Sequence, residues 1–247
     1  MTDFPHDEVK PFPEATGKKE QIRIMFDNIA RRYDFMNRFL SAGIDVSWRK
    51  KAIRMLKKDN PQQLLDVATG TGQMAILAAR LLNPQKITGI DISQKMLEIG
   101  REQVKKAGFE NKVELLNGDS ETINFKDNSF DGAMVAFGVR NFEHLEQGLS
   151  EILRVLKPGA RLVVLEFSKP IIPGLKDLYN LYMGIIAPEI AGWFTENKKA
   201  YQYLNKSANA FPDRQAFINI LKKTGYSDTS FKPLSLGICC IYVGRKQ

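Results

Sequence analysis

Asp66 stands four residues ahead of Gly70 in the run Asp66-Val67-Ala68-Thr69-Gly70-Thr71-Gly72. Glycines in such a turn tolerate unusual backbone angles and let a bound molecule approach the main chain closely. Asp91 follows Thr71 by 20 residues, and a carboxylate there can accept hydrogen bonds from the hydroxyls of a ribose. Gly118-Asp119-Ser120 adds an acceptor suited to the amino group of an adenine. Asn128-Ser129-Phe130-Asp131 is a fourth polar cluster of the same kind. Gly70-Thr71-Gly72-Gln73-Met74-Ala75 also fits G-x-G-x-x-A, a pattern of dinucleotide sites that is weak evidence by itself.

These clusters need elements that bring them to one edge. Short apolar runs at 62–68, 86–91, 112–117, 129–138 and 160–167 read as buried strands. Between them, 73–82, 94–107 and 143–156 read as helices. Strands that alternate with helices predict a doubly wound, mostly parallel α/β sheet. A helix over 213–224 leads to SDTSFKPLSLGICCIYVGRK, two final strands joined near Pro233 as a hairpin at the sheet edge. That makes seven strands. Upstream, Ile22, Met25, Phe26, Ile29, Tyr33 and Met36 recur at helical spacing, and a second helix is expected over 47–57. The expected organisation is a mobile tail at 1–17 and one domain at 18–247. That domain carries N-terminal helices (18–58) and a helical insertion (170–210). Within the insertion, Leu178, Leu181, Tyr182, Ile185 and Ile186 form an apolar stripe, either core packing or a lid over an apolar ligand.

In a sheet of this type the ligand crevice lies outside the carboxyl ends of the strands. Asp66, able to meet a cationic amino-acid end, and Asp119-Ser120 favour S-adenosylmethionine over NAD. Asp91 serves either molecule. The cofactor-binding residues expected are Gly70, Thr71, Asp91, Asp119 and Ser120.

Three longer segments narrow the reading. Tyr33-Asp34-Phe35-Met36-Asn37-Arg38-Phe39-Leu40-Ser41-Ala42-Gly43-Ile44-Asp45-Val46-Ser47-Trp48 resembles the first signature of the ubiquinone/menaquinone biosynthesis C-methyltransferases. Arg154-Val155-Leu156-Lys157-Pro158-Gly159-Ala160-Arg161-Leu162-Val163-Val164-Leu165-Glu166-Phe167-Ser168 resembles their second. Phe137-Gly138-Val139-Arg140-Asn141 resembles their Phe-Gly-x-Arg-Asn segment. The resemblance runs from about Lys18 to Lys246. It departs at Asp45, where His is usual, at Ala160, where Gly is usual, and at Ala136, where Ser is frequent.

The resemblance implies a Rossmann-like class I methyltransferase fold. It also implies methyl transfer from S-adenosylmethionine to a ring carbon of a prenylated quinol. Demethylmenaquinol is the expected acceptor, and the methoxy-benzoquinol of the ubiquinone pathway is the alternative. It places cofactor contacts at Thr71, Asp91, Asp119 and Ser120. Arg140 is always protonated, so it is no ordinary base, but it can stabilise a developing phenolate. Asn141 can orient a ring hydroxyl or carbonyl, and Tyr33 can lie over the ring or bond to it. Two other classes stay open: an NAD-dependent oxidoreductase, and a subunit that binds S-adenosylmethionine without turnover.

Composition sets the outer bounds. With 43% hydrophobic and 26% charged residues, fibrous and wholly disordered classes are excluded. No run reaches the roughly 18 apolar residues of a membrane span, and residues 1–20 lack the apolar core of a signal peptide. A cytoplasmic protein is expected. Net charge is +8, as +4 over 1–60, −2 over 61–168 and +6 over 169–247. The basic residues are scattered without interleaved aromatics, so no nucleic-acid partner is expected; basic flanks suit peripheral contact with an anionic membrane. His6 and His144 are the only histidines, so no metal site is expected, and His144 reads as a surface residue. The adjacent Cys239 and Cys240 point to opposite faces of a strand and read as core residues.

Overall fold

The computed structural model describes residues 4–12, 16–170 and 198–247. Two helices come first, α1 (Lys18–Leu40) and α2 (Ile44–Arg54). Then follow β1 (Gln63–Val67), α3 (Gln73–Leu82), β2 (Lys86–Asp91), α4 (Gln94–Lys106), β3 (Val113–Asn117), β4 (Phe130–Ala136), α5 (Leu145–Val155) and β5 (Leu156–Phe167). After the undescribed stretch come α6 (Lys198–Ala210), α7 (Gln215–Lys223), β6 (Ser227–Leu234) and β7 (Cys239–Arg245). One seven-stranded sheet has the order β3-β2-β1-β4-β5-β7-β6. The first five strands are parallel, while β7 runs antiparallel to both β5 and β6.

Alternation along each strand builds two apolar layers. Leu64, Met134, Val163 and Cys239 pack with Trp48, Ala75 and Leu97 from α2, α3 and α4. Leu65, Val135, Val164 and Cys240 pack with Leu149, Phe217 and Phe211 on the other face. The two cysteines therefore lie in opposite layers, as the strand period requires. A third cluster joins Ile22, Met25 and Ile29 of α1 to Met96, Ala200 and Tyr203. Truncating a buried leucine such as Leu65 would cost about 2–5 kcal/mol.

Three expectations change. Pro233 does not join the last two strands; it lies inside β6 opposite Cys240, and the turn is at 235–238. Edge strand β6 tolerates a residue without an N–H. Residues 4–12 are not a loose tail. His6 is buried with its ring 5.5 Å from Phe211, and Lys18 Nζ donates to His6 O at 2.8 Å and to Phe142 O at 3.1 Å. Isolated anchors such as Phe4, Val9 and Phe12 hold the segment without any periodic pattern. α2 begins at Ile44, earlier than expected, behind Gly43 at φ 76°. Residues 198–210 of the expected insertion are helical, whereas the Leu178–Ile186 stripe lies outside the described residues.

Candidate active site

The sheet order reverses between β2-β1 and β4-β5, so a crevice opens outside the carboxyl ends of β1 and β4. Beyond β1 the chain turns through Ala68 (φ 53°), Gly70 (φ 56°) and Gly72 (φ 75°) into α3. β4 is followed at once by another left-handed residue, Phe137 at φ 59°. Such backbone costs about 1–3 kcal/mol at a non-glycine residue and survives only where its surroundings fix it. Here Phe137 N donates to Leu165 O at 2.7 Å. A Cβ on Gly138 would lie 2.6 Å from the Ala68 Cβ, so the two strand ends approach as only glycine permits.

The β2 carboxylate braces the glycine turn. Asp91 Oδ2 accepts from Gly70 N and Oδ1 from Ser93 N, both at 2.8 Å. Burial pushes its pKa up to about 6, against these hydrogen bonds. Asp66, 1% exposed, lines the same cleft. Its Oδ2 accepts from Thr69 Oγ1 at 2.6 Å, while Oδ1 is buried and without a hydrogen-bond partner. Burial lifts the Asp66 pKa to about 7. The cleft measures about 920 Å³ with its open mouth.

Helix α1 crosses the mouth, with Lys19, Ile22, Phe26, Tyr33 and Asp34 facing in. Three polar clasps hold it, one at each strand end. Lys19 Nζ bonds Asp119 at 2.7 Å and Glu121 at 3.1 Å, beyond β3. Asp27 accepts from Ser93 Oγ at 2.7 Å, beyond β2. Asp34 accepts from Thr71 Oγ1 at 2.7 Å, beyond β1, and from Gln103 Nε2 at 2.8 Å.

On the β4 side the wall is aromatic and polar. Tyr33, Phe137, Asn141 and Phe142 line it. Tyr203 Oη donates to Asn141 Oδ1 at 3.1 Å. Arg140 is not among the described residues that line the cleft. It is 2% exposed and ion-paired at 2.6 Å with Glu166, which is 0% exposed. Its Nη1 also donates to Phe137 O at 2.7 Å, and its charge lowers the pKa of the Tyr33 and Tyr203 phenols against the upward push of burial. Arg49, from α2, reaches the cleft with its guanidinium 5.2 Å from the Phe137 ring centre, and it pairs with Asp45.

Gly70, Thr71, Asp91, Asp119, Ser120, Tyr33 and Asn141 are thus gathered around one cleft. Arg140 stands behind its wall. The Asn128–Asp131 cluster falls elsewhere. Asp131 opens β4 at its amino end, where Oδ2 accepts from Gln62 N and Gln63 N and Oδ1 pairs with Lys157. His144 is exposed ahead of α5. It joins Glu121 and Glu143 in a group whose ligand atoms lie within 4.8 Å, but both Glu121 oxygens already accept protein hydrogen bonds. Lys19, Asp34, Arg49 and Tyr203 were not expected at the site. Asp34 sits within the Tyr33–Trp48 segment and Arg49 directly follows it, which is the signal available in the sequence.

The profile of the ubiE/COQ5 methyltransferase family matches residues 14–246. The chain belongs to this family. It is 44% identical over 243 residues to the demethylmenaquinone methyltransferase of Bacteroides fragilis, covering 98% of this chain and 99% of that one. It is also 44% identical, over 94% of this chain and 99% of the relative, to the ubiquinone/menaquinone biosynthesis C-methyltransferase UbiE of Geotalea daltonii. Among solved structures it is similar to an S-adenosylmethionine-dependent methyltransferase of Thermotoga maritima. That similarity has a TM-score of 0.65 at 19% identity and covers 92% of this chain and 100% of that one; it bears on the fold alone. The chain is an S-adenosylmethionine-dependent methyltransferase of the menaquinone/ubiquinone pathway type, and S-adenosylmethionine is its cofactor. The residues present fit that cofactor: the unpartnered Asp66 Oδ1 is an acceptor suited to an ammonium group.

Proposed function

We propose that this methyltransferase methylates the ring of a prenylated quinol, converting demethylmenaquinol to menaquinol. The observation that carries the reading is end-to-end similarity to a demethylmenaquinone methyltransferase at 44% identity. The methoxy-benzoquinol of the ubiquinone pathway is the second reading, because the Geotalea relative's name spans both pathways.

In this reading Asp66 takes the cofactor's ammonium, Asp91 its ribose hydroxyls, and Asp119 with Ser120 its adenine, over the Gly70-Thr71 turn. S-Adenosylmethionine supplies a methyl group on a sulfonium, already a strong electrophile. The protein's task is alignment and exclusion of water. Phe137 and Phe142 give the quinol ring an apolar wall. Asn141, fixed by Tyr203, orients a ring oxygen, and Tyr33 packs or bonds against the ring. The buried Arg140 holds positive charge behind that wall, where it favours a phenolate over a phenol. Glu166 keeps it in place.

A prenyl tail requires an apolar exit. Phe35, Phe39 and Ile44 are exposed at the α1–α2 corner, beside exposed Arg31, Arg32 and Arg38. Among the described residues no helix is long and apolar enough to cross a membrane. This corner and the basic flanks support peripheral contact with the inner, cytoplasmic face of a membrane. The test is incubation with labelled methyl donor and each quinol in turn, followed by product mass. Label in menaquinol supports the first reading, and label only in the ubiquinone-pathway product replaces it with the second.

A further inference from the structure

Six carboxylates line the cleft: Asp34, Asp66, Asp91, Asp119, Glu121 and Glu143. The amino-acid end of S-adenosylmethionine carries an α-carboxylate as well as an ammonium, and an anion placed here without a cation would be strongly disfavoured. Among the described lining residues the cations are Lys19 and Arg49. Lys19 is bound to Asp119 and Glu121, at the β3 end of the cleft. Arg49 lies at the other end, packed on Phe137, the residue that follows β4.

We infer that Arg49, aimed by Asp45, holds the cofactor's α-carboxylate while Asp66 takes the ammonium. The inference rests on the reading that the amino-acid end lies at Asp66. Two oppositely charged groups, one on β1 and one on α2, then match the two charges of a zwitterion. Arg49 is 8% exposed, and its guanidinium spends Nη1 on Asp45 Oδ2. A guanidinium has five N–H donors in a planar fork, so one such bond leaves capacity for a carboxylate. Asp45 Oδ1 is itself fixed by Ser41 Oγ at 3.0 Å. Asp45 precedes Arg49 by one helical turn, the favourable orientation for such a pair. Asp45 is therefore a positioning residue: it touches Arg49 and fixes where the fork points. This gives a purpose to the aspartate where the resembling family usually carries histidine.

The test is calorimetric binding of S-adenosylmethionine and of its decarboxylated analogue, which keeps the ammonium and the sulfonium. Wild type should prefer the carboxylated ligand by roughly tenfold to a hundredfold, the worth of a charge-assisted hydrogen bond. Arg49→Met should abolish that preference by weakening S-adenosylmethionine alone. Arg49→Lys keeps the charge but loses the fork, and should retain part of the preference. It serves as the deciding variant if melting shows Arg49→Met unfolded. Asp45→Asn should reduce the preference about threefold, which is less than Arg49→Met does. Parallel loss of both ligands in the Arg49 variants would make the residue structural and overturn the inference. So would a wild type that binds the two ligands equally. An unchanged preference in Asp45→Asn would remove Asp45 from the arrangement. Absence of S-adenosylmethionine binding in wild type would instead overturn the cofactor reading beneath it, and the inference with it.

Discussion

The ends of β1, β2 and β3 and the ends of β4 and β5 border one cleft but are built on different plans. In the first region each functional group stands at the end of its own strand, and Asp91 is held by backbone amides alone. Asp91 serves Gly70 N and Ser93 N, and the turn from Ala68 to Gly72 does the rest. In the second region the groups are gathered from far along the chain. Tyr33 comes from α1, Arg49 from α2, Asn141 from the turn after β4, Glu166 from β5 and Tyr203 from α6. The first plan suits a ligand shared by many enzymes of one fold. The second allows a wall to change with the acceptor while the sheet stays the same.

If the two regions divide the labour in this way, variants should separate binding from turnover. The largest effect belongs to Arg140→Ala. It strands the buried Glu166 carboxylate, so urea unfolding should show a loss of about 3–5 kcal/mol. In whatever fraction remains folded, turnover should fall by roughly a hundredfold with cofactor affinity little changed. Near-normal turnover in that variant would make the ion pair purely structural.

Asp91→Ala should do the reverse. Calorimetry should show S-adenosylmethionine binding weakened by about 1.5–3 kcal/mol, the range for a hydrogen bond to a charged group. Turnover at saturating cofactor should change much less. Unchanged affinity would take the ribose away from β2.

A smaller effect follows from Asp66, whose pKa rises in the fold from 3.8 to about 7. A raised carboxyl pKa means that the fold prefers the protonated form. Its contribution to stability is therefore present near pH 4 and declines as pH rises to about 7. A bound ammonium prefers the ionised form, so cofactor affinity should climb over the same window and level off above it. Melting temperatures with and without S-adenosylmethionine, taken from pH 5.5 to pH 8, should diverge as pH rises. Asp66→Asn should flatten the trend.

The smallest effect is expected at the seam between the regions. Asp34→Asn weakens the clasp between α1 and Thr71, at a cost near 1 kcal/mol for one hydrogen bond. Hydrogen exchange should quicken in α1 while α3 stays protected. Equal acceleration in both helices would mean that the clasp supports the whole fold.

The same division governs what the sequence discloses. The strand-helix alternation, the glycine turn and Asp66, Asp91 and Asp119 are legible because each depends on its neighbours in the chain. Asp131 looks the same on paper, yet it sits at the amino end of β4 and ties down Gln62 and Gln63. A pattern of residues near a strand does not say which end bears the ligand. Arg140 is recognisable by type and place, but its burial depends on Glu166, 26 residues later. The Asp45–Arg49 pair is plain as helical spacing, whereas its arrival beside Phe137 depends on how α2 lies on the sheet. His6 has no pattern to announce it, because two aromatic contacts, to Phe4 and Phe211, and the Lys18 bond to its carbonyl accompany its burial without any periodicity.

Helix α1 is tied down at Lys19, Asp27 and Asp34, along 16 of its 23 residues. A helix is a stiff rod, so it cannot surrender one tie without loading the next. Its inward face covers the space between Asp119 and the Tyr33 wall. Of the three ties, Lys19 is a partly exposed ion pair, and added salt weakens such pairs while leaving the neutral-donor ties at Ser93 and Thr71 largely intact. Salt therefore loosens the Lys19 clasp at the Asp119 end first, while Lys18, buried at the start of the helix and bonded to Phe142 O, keeps that end seated.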